Sequence, residues 1–214
     1  MEANKIEIKI LLLSLTSIIA VETASSFVIS QSQIQPIVIL GAVRLVETAL
    51  MILMITTWGK GMSSIGLAPS KMTSGLIKGL IWSAGVGVAT AVTFVLLFTF
   101  GIHPLSLIQV NMPAKFEGIF LFLCIGGVVG PIAEEVFFRG ILFGFFRRWG
   151  FWAAMALSTL IFVVVHPGVS GFPFPQFAGG VLFAMAYEKG KSLIVPITVH
   201  VLGNTAIFTL SLLF

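Results

Sequence analysis

Seven apolar runs divide the chain, near residues 10–30, 36–58, 79–100, 116–146, 151–166, 172–187 and 193–214, and the N-terminal segment and short connections outside them hold most of the charge. A helix needs about 20 apolar residues to cross a hydrocarbon layer roughly 30 Å thick, so the pattern predicts an all-α, polytopic transmembrane bundle of about seven spans, with six to eight permitted by length. The fifth and sixth runs are short for a full crossing. The first exceeds the apolar core of a signal peptide, about 7 to 15 residues, and lacks a clear small-residue cleavage site, so it reads as a helix. The fourth contains Gly126-Gly127 and Gly130-Pro131, which predicts a kink or break just ahead of Glu134 and Glu135. The whole of 1–214 reads as one integral membrane domain, with N-terminal helices over 1–115 and a motif-bearing core over 116–214.

Composition strengthens this reading. Of 214 residues, 57% are hydrophobic and 9% charged, with a mean hydropathy of +1.10, which leaves no room for a separate soluble domain. A net charge of +4 raises nucleic acid as a partner, but the basic residues are scattered through short connections and form no stripe, so nucleic acid is rejected. Orientation in the bilayer explains them. Lys5, Lys9, Lys60, Lys71, Arg147, Arg148, Lys189 and Lys191 fall on one side of a seven-span chain, against Lys115 alone on the other. The expectation is a multi-pass protein of the cell membrane, with its N terminus cytoplasmic and its C terminus outside. The single cysteine, Cys124, rules out an internal disulfide and reads as packing. Trp149, Trp152 and Tyr187 suit interfacial anchoring, and His103, beside Pro104 in a connection, needs no special role.

Charges inside spans cost about 2.5 to 3.5 kcal/mol on insertion scales, so each calls for a partner or a task. Arg44 and Glu47, three apart, read as a local ion pair that Glu22 on the first helix can join. A second cluster differs. Glu135 and Arg139 are four apart on one helical face, so Arg139 can neutralise Glu135 and leave Glu134, rotated by about 100°, available. His166 ends the fifth run in Phe162-Val-Val-Val-His166, and the last run carries His200-Val-Leu-Gly-Asn204 with both polar side chains on one face. At about 1.5 Å rise per residue, Glu134, His166, and His200 with Asn204 all lie about 14 to 22 Å from the cytoplasmic side. Three helices can therefore converge on one site. A carboxylate and an imidazole sharing a proton can make a trapped water nucleophilic, and His200 with the Asn204 amide can stabilise an oxyanion.

The motifs Glu134-Glu135-Val-Phe-Phe-Arg139, Phe162 to His166 and His200 to Asn204, in that order, resemble the CPBP family. These are intramembrane proteases that include the CAAX prenyl endopeptidases and the Abi, or bacteriocin-processing, proteins. The resemblance covers residues 134–204; residues 1–115 match only as generic membrane helices. It implies an intramembrane endopeptidase acting on a membrane-associated protein or peptide. It also implies that Glu134 and His166 activate water, that His200 and Asn204 stabilise the oxyanion, and that Glu135, Arg139 and Phe162 support them. Such enzymes have been described both as metalloproteases and as glutamic-type proteases. The chain lacks His-Glu-x-x-His, so the reading favours no cofactor, while a divalent metal such as zinc at Glu134, His166 and His200 stays open.

Other readings compete. The chain contains no aspartate, which excludes an aspartyl dyad. Gly168-Val-Ser170-Gly171 followed by His200 resembles a rhomboid serine protease, but Ser170 lies between Pro167 and Pro173 in a turn-rich connection. A proton-coupled transporter would place polar positions and interrupted helices in both halves, whereas here they fall in the second. A non-catalytic immunity or chaperone protein on the same scaffold is a third class, which would tolerate Glu134→Ala.

Overall fold

The computed structural model describes residues 6–166 and 173–213, and among these residues the secondary structure is entirely helical. The helices are α1 (Ile8–Gln31), α2 (Pro36–Thr57), α3 (Met72–Thr99), α4 (Phe116–Trp149), α5 (Phe151–Val165), α6 (Phe174–Gly190) and α7 (Ile194–Ser211). These are the seven predicted runs, with α3 beginning earlier than its apolar stretch because the polar first turn, Met72-Thr-Ser-Gly, still packs on α7 through Gly75. Five helices, α1 to α4 and α7, are long and apolar enough to span a bilayer. At 15 and 17 residues, α5 and α6 are shorter. Large apolar side chains such as Phe27, Phe100 and Phe116 point outward, as a lipid solvent permits.

Small residues set the closest helix contacts. A Cβ added at Gly79 on α3 would stand 2.6 Å from Cβ of Thr198 on α7, and one at Gly180 on α6 would stand 2.7 Å from Thr159 on α5. The backbones approach because nothing projects between them. The well-packed core lies toward one end of the bundle, where Ile10, Met51, Ile55, Ile65, Ile141 and Phe143 are buried together. The α2–α3 connection plugs this end. Its Ile65 carbonyl accepts a 2.9 Å hydrogen bond from the Tyr187 hydroxyl, and Gly66 accepts one from the Leu193 amide at 3.1 Å. Gly66 has φ +79, a left-handed conformation in which a side chain would also press on Leu193. Arg147 bonds Glu188, and Arg148 reaches the Ile6 carbonyl, so the basic connections gather at this end.

One expectation changes and another takes a specific form. Tyr187 is fully buried, so it is a core hydrogen-bonding residue and not an interfacial anchor, whereas Trp149 and Trp152 are exposed. The irregularity expected in the fourth run, a kink or break before the glutamates, takes the form of a wide turn and not a break. The helix α4 runs through and absorbs the glycines and Pro131 by widening into π turns at Ile125–Val129 and again at Val136–Phe143, on either side of a normal stretch, Gly130–Glu135. The physical reason is visible at one carbonyl. In the wide turn Gly130 bonds back five residues to the Ile125 carbonyl; Pro131, lacking an N–H, cannot make the next such bond to Gly126. The freed Gly126 carbonyl accepts from Asn204 Nδ2 on α7 at 3.1 Å.

Candidate active site

Three helices deliver the polar groups. Glu134 and Glu135 sit on the regular stretch of α4 between its two wide turns, His166 caps the C-terminal end of α5, and His200 lies in the first half of α7. The carboxylate of Glu134 stands between the two imidazoles: its Oε1 is 3.5 Å from His166 Nε2 and its Oε2 is 3.8 Å from His200 Nε2. Glu134 and His166 are only partly buried, with side chains 22% and 33% exposed, so neither is sealed in the core. Toward the basic end the bundle is sealed by Arg139, Ile141, Phe143, Tyr187 and Leu193. Along α4 in the opposite direction, Gly126 and Val129 are half-buried and Val128 is exposed.

Hydrogen-bond chemistry fixes how the imidazoles are oriented. His166 Nδ1 is 2.8 Å from the Phe162 carbonyl, which can only accept, so Nδ1 carries the proton and Nε2 faces Glu134. A carboxylate on one side and an imidazole nitrogen on the other can share one proton. His200 Nδ1 is 2.7 Å from Glu135 Oε1, which directs the His200 Nε2 toward Glu134 in the same way. The helical spacing expected of Glu135 and Arg139 is realised at 3.1 Å, and the same Oε1 atom accepts from both Arg139 and His200. Glu135 thus links the arginine to an imidazole, a contact that i to i+4 reasoning could not find.

Rings hold these groups in place. Phe162 lies 4.4 Å from the His166 ring, and the Arg139 guanidinium lies over Phe162 and Phe183 at 4.9 and 5.1 Å. His200 stacks on Phe183 with ring centroids 4.3 Å apart. Arg139 also donates to the Gly180 carbonyl at 3.3 Å. The contribution of α6, through Gly180 and Phe183, is absent from the sequence reading, because a phenylalanine and a glycine in an apolar run carry no chemical signal of their own. Asn204, one turn beyond His200 on α7, commits one amide hydrogen to the Gly126 carbonyl of α4, eight residues before Glu134. The expected Glu22, Arg44 and Glu47 cluster forms, with Arg44 bonded to Glu22 at 2.8 Å and to Glu47. Ser170 and its neighbours lie outside the described residues.

Glu134, His166 and His200 are ordinary zinc ligands by type. Among the described residues, however, no three His, Cys, Asp or Glu side chains are arranged to hold a metal ion.

The chain is 33% identical over 97 residues to the putative membrane peptidase YdiL of Bacillus subtilis (strain 168), covering 45% of this chain and 39% of that protein. It is 34% identical over 100 residues to the membrane-embedded CAAX protease MroQ of Staphylococcus aureus (strain USA300), covering 44% of this chain and 40% of MroQ. A third relative, the UPF0177 protein YxdF of Lactococcus lactis subsp. lactis (strain IL1403), is 29% identical over 92 residues, 41% of this chain and 51% of its own. The aligned region thus spans about two-fifths of the length of the first two relatives. No solved structure matches the chain. Residues 116–206, from the start of α4 into α7, match the profile of the type II CAAX prenyl endopeptidases, Rce1-like. Through that segment, which contains Glu134, His166, His200 and Asn204, the chain is similar to the Rce1-like CAAX prenyl endopeptidases.

Proposed function

We propose that this protein is an intramembrane endopeptidase that hydrolyses a peptide bond of a membrane-associated protein or peptide, with water activated by Glu134 and His166. The observation that carries the reading is a partly accessible carboxylate set between imidazoles from two other helices. A water held by Glu134 and His166 attacks the scissile carbonyl carbon and gives its proton to that pair. The carbonyl oxygen becomes an oxyanion, to which the second Asn204 amide hydrogen and His200 Nε2 are offered as donors. For His200 to donate there, the ring holds a proton at both nitrogens, with Glu135 accepting the one at Nδ1. Collapse of the intermediate breaks the C–N bond, and the Glu134–His166 pair returns its proton to the leaving amine. Glu135, Arg139 and Phe162 are positioning residues in this scheme.

The mechanism favoured is glutamic, without a metal. The N terminus lies in the cytoplasm and the C terminus outside, consistent with the basic connections that meet at one end of the bundle. Residues 116–214 form the catalytic core on a scaffold of α1 to α3. The test is proteomics of membranes carrying the wild-type protein or Glu134→Gln. A precursor that accumulates only with the variant supports the reading and names the substrate. Normal processing in both Glu134→Gln and His166→Ala defeats it, and is the outcome that a non-catalytic immunity or chaperone protein would produce. A chelator with metal add-back, applied to the cleavage so identified, separates the glutamic from the metal-dependent mechanism.

A further inference from the structure

The basic end of the bundle carries lysines that neither the Glu134 site nor the core uses. Lys71, at the start of α3, and Lys78 lie two turns apart with Gly75 between them, and Lys189 and Lys191 flank Gly190 where α6 ends. Close packing brings the two pairs together. A Cβ added at Gly75 would stand 2.6 Å from Ser192 Oγ, and Lys78 Nζ donates to the Gly190 carbonyl at 3.4 Å. The Lys78 ammonium therefore sits beside the backbone from which Lys189 and Lys191 project. Among the described residues no carboxylate forms an ion pair with Lys71, Lys78 or Lys189, while Glu188 pairs with Arg147 at 2.9 Å and with Lys191 at 3.3 Å.

Lys191 adds a conformational signal. With φ 57 it is the one non-glycine residue of positive φ among the described residues, at the position past a helix end where glycine is the usual choice. Its half-exposed ion pair with Glu188 is too weak to account for a strained lysine there. Depth supplies a third observation. At about 1.5 Å per residue the 28 residues of α3 run about 42 Å, which exceeds a hydrocarbon layer of roughly 30 Å. Counting roughly 20 residues back from Thr99 places Lys78 at the hydrocarbon boundary, the level of lipid phosphates. From there inward Ile81 is exposed and nothing approaches the Cβ position of Gly85 within 4 Å, so an acyl chain has a clear path along α3.

We propose that Lys71, Lys78, Lys189 and Lys191 form a docking site for the headgroup phosphate of an anionic phospholipid, with Lys78 and Lys191 as its principal contacts and the acyl chains lying along α3. Charge complementarity names the occupant: clustered ammonium groups at headgroup level fit a lipid of net negative charge, whereas a zwitterionic lipid brings an ammonium of its own. The bound phosphate ties α3 to the α6–α7 connection. The proposal is independent of the endopeptidase reading.

The test uses the full-length protein in dodecyl maltoside with phosphatidylglycerol or phosphatidylcholine added, read by native mass spectrometry of bound lipid and by thermal unfolding. Phosphatidylglycerol should bind and raise the unfolding midpoint, and phosphatidylcholine should do neither. Lys78→Gln with Lys191→Gln should weaken phosphatidylglycerol binding by roughly tenfold or more. Lys9→Gln with Lys60→Gln, which removes the same charge from the same end, should weaken it by less than about twofold. Lys191→Gly relieves the left-handed strain, so it should raise the midpoint without lipid while weakening phosphatidylglycerol binding by about fivefold. Unchanged binding in the Lys78 and Lys191 double variant overturns the proposal. So does an equal loss in the Lys9 and Lys60 variant, which would mean diffuse attraction, or full stabilisation by inorganic phosphate at the same concentration. Should the first double variant fail to fold, Lys191→Gly decides, because stability and binding are expected to move in opposite directions.

Discussion

Replacing Glu135 by alanine tests the buried network on which the site is built. The guanidinium of Arg139 is 1% exposed and the Glu135 carboxylate is fully buried, with Nη1 and Oε1 3.1 Å apart. At an effective dielectric of about 20, a unit pair at that separation attracts by roughly 5 kcal/mol. Removing one member of a buried pair strands the other, and costs about 3 to 5 kcal/mol. Here the remaining Gly180 carbonyl and the faces of Phe162 and Phe183 offset only part of that loss. Glu135→Ala is therefore expected to destabilise the protein by about 3 kcal/mol or more, and to leave His200 Nδ1 without its acceptor. Adding Arg139→Met should recover most of the stability, because a thioether fits against the faces of Phe162 and Phe183 without a charge to solvate. It should not recover cleavage, since His200 remains unoriented. The assay is reversible unfolding in mixed micelles with increasing SDS, alongside processing of the substrate found by proteomics. A Glu135→Ala cost below about 1 kcal/mol would refute the argument that the pair is desolvated and mutually dependent.

Other outcomes are specific to single contacts. Glu134→Gln and His166→Ala should each lower cleavage by about a hundredfold or more while leaving the unfolding midpoint near wild type, because both side chains are partly accessible and outside the sealed core. Asn204→Ala should cost about 1 kcal/mol of stability by leaving the Gly126 carbonyl unpaired; Pro131→Ala, which restores an N–H that can reach that carbonyl, should shrink this cost, and additive effects in the double-mutant cycle would contradict the link. Gly79→Val should destabilise by about 1 to 3 kcal/mol in the same unfolding assay, since its Cβ would overlap Thr198. Under the glutamic mechanism, EDTA should leave the rate of cleavage unchanged, and loss of activity restored by zinc would overturn that mechanism.

How much could be read in advance differs from one residue to the next. The seven helices were legible because each apolar run must satisfy its own backbone hydrogen bonds in lipid, whatever its neighbours do. The Glu135–Arg139 and Arg44–Glu47 pairs were legible for a similar reason: a spacing of three or four places two side chains together within a single helix. Pro131 announced an irregularity but not its form, because whether a helix breaks or widens depends on what satisfies the orphaned carbonyl. That partner, Asn204, comes from another helix 78 positions away. Tyr187 shows the same limit from the other direction, since an amphipathic ring suits an interface equally well until the α2–α3 connection folds over it and offers the Ile65 carbonyl.

Sequence by itself therefore determined the membrane bundle, the identity of the ionisable groups within it and the pairings within single helices, all properties that local geometry and the cost of charge in lipid decide. Only the tertiary structure decided that Glu135 would orient His200, that Phe183 would stack beneath it, and that α2 would pack on the stretch of α4 that carries Glu134, because these depend on how separate helices pack. Packing is governed by glycines such as Gly41, Gly79 and Gly180, which let backbones approach and yet carry no chemical signal that identifies their partners.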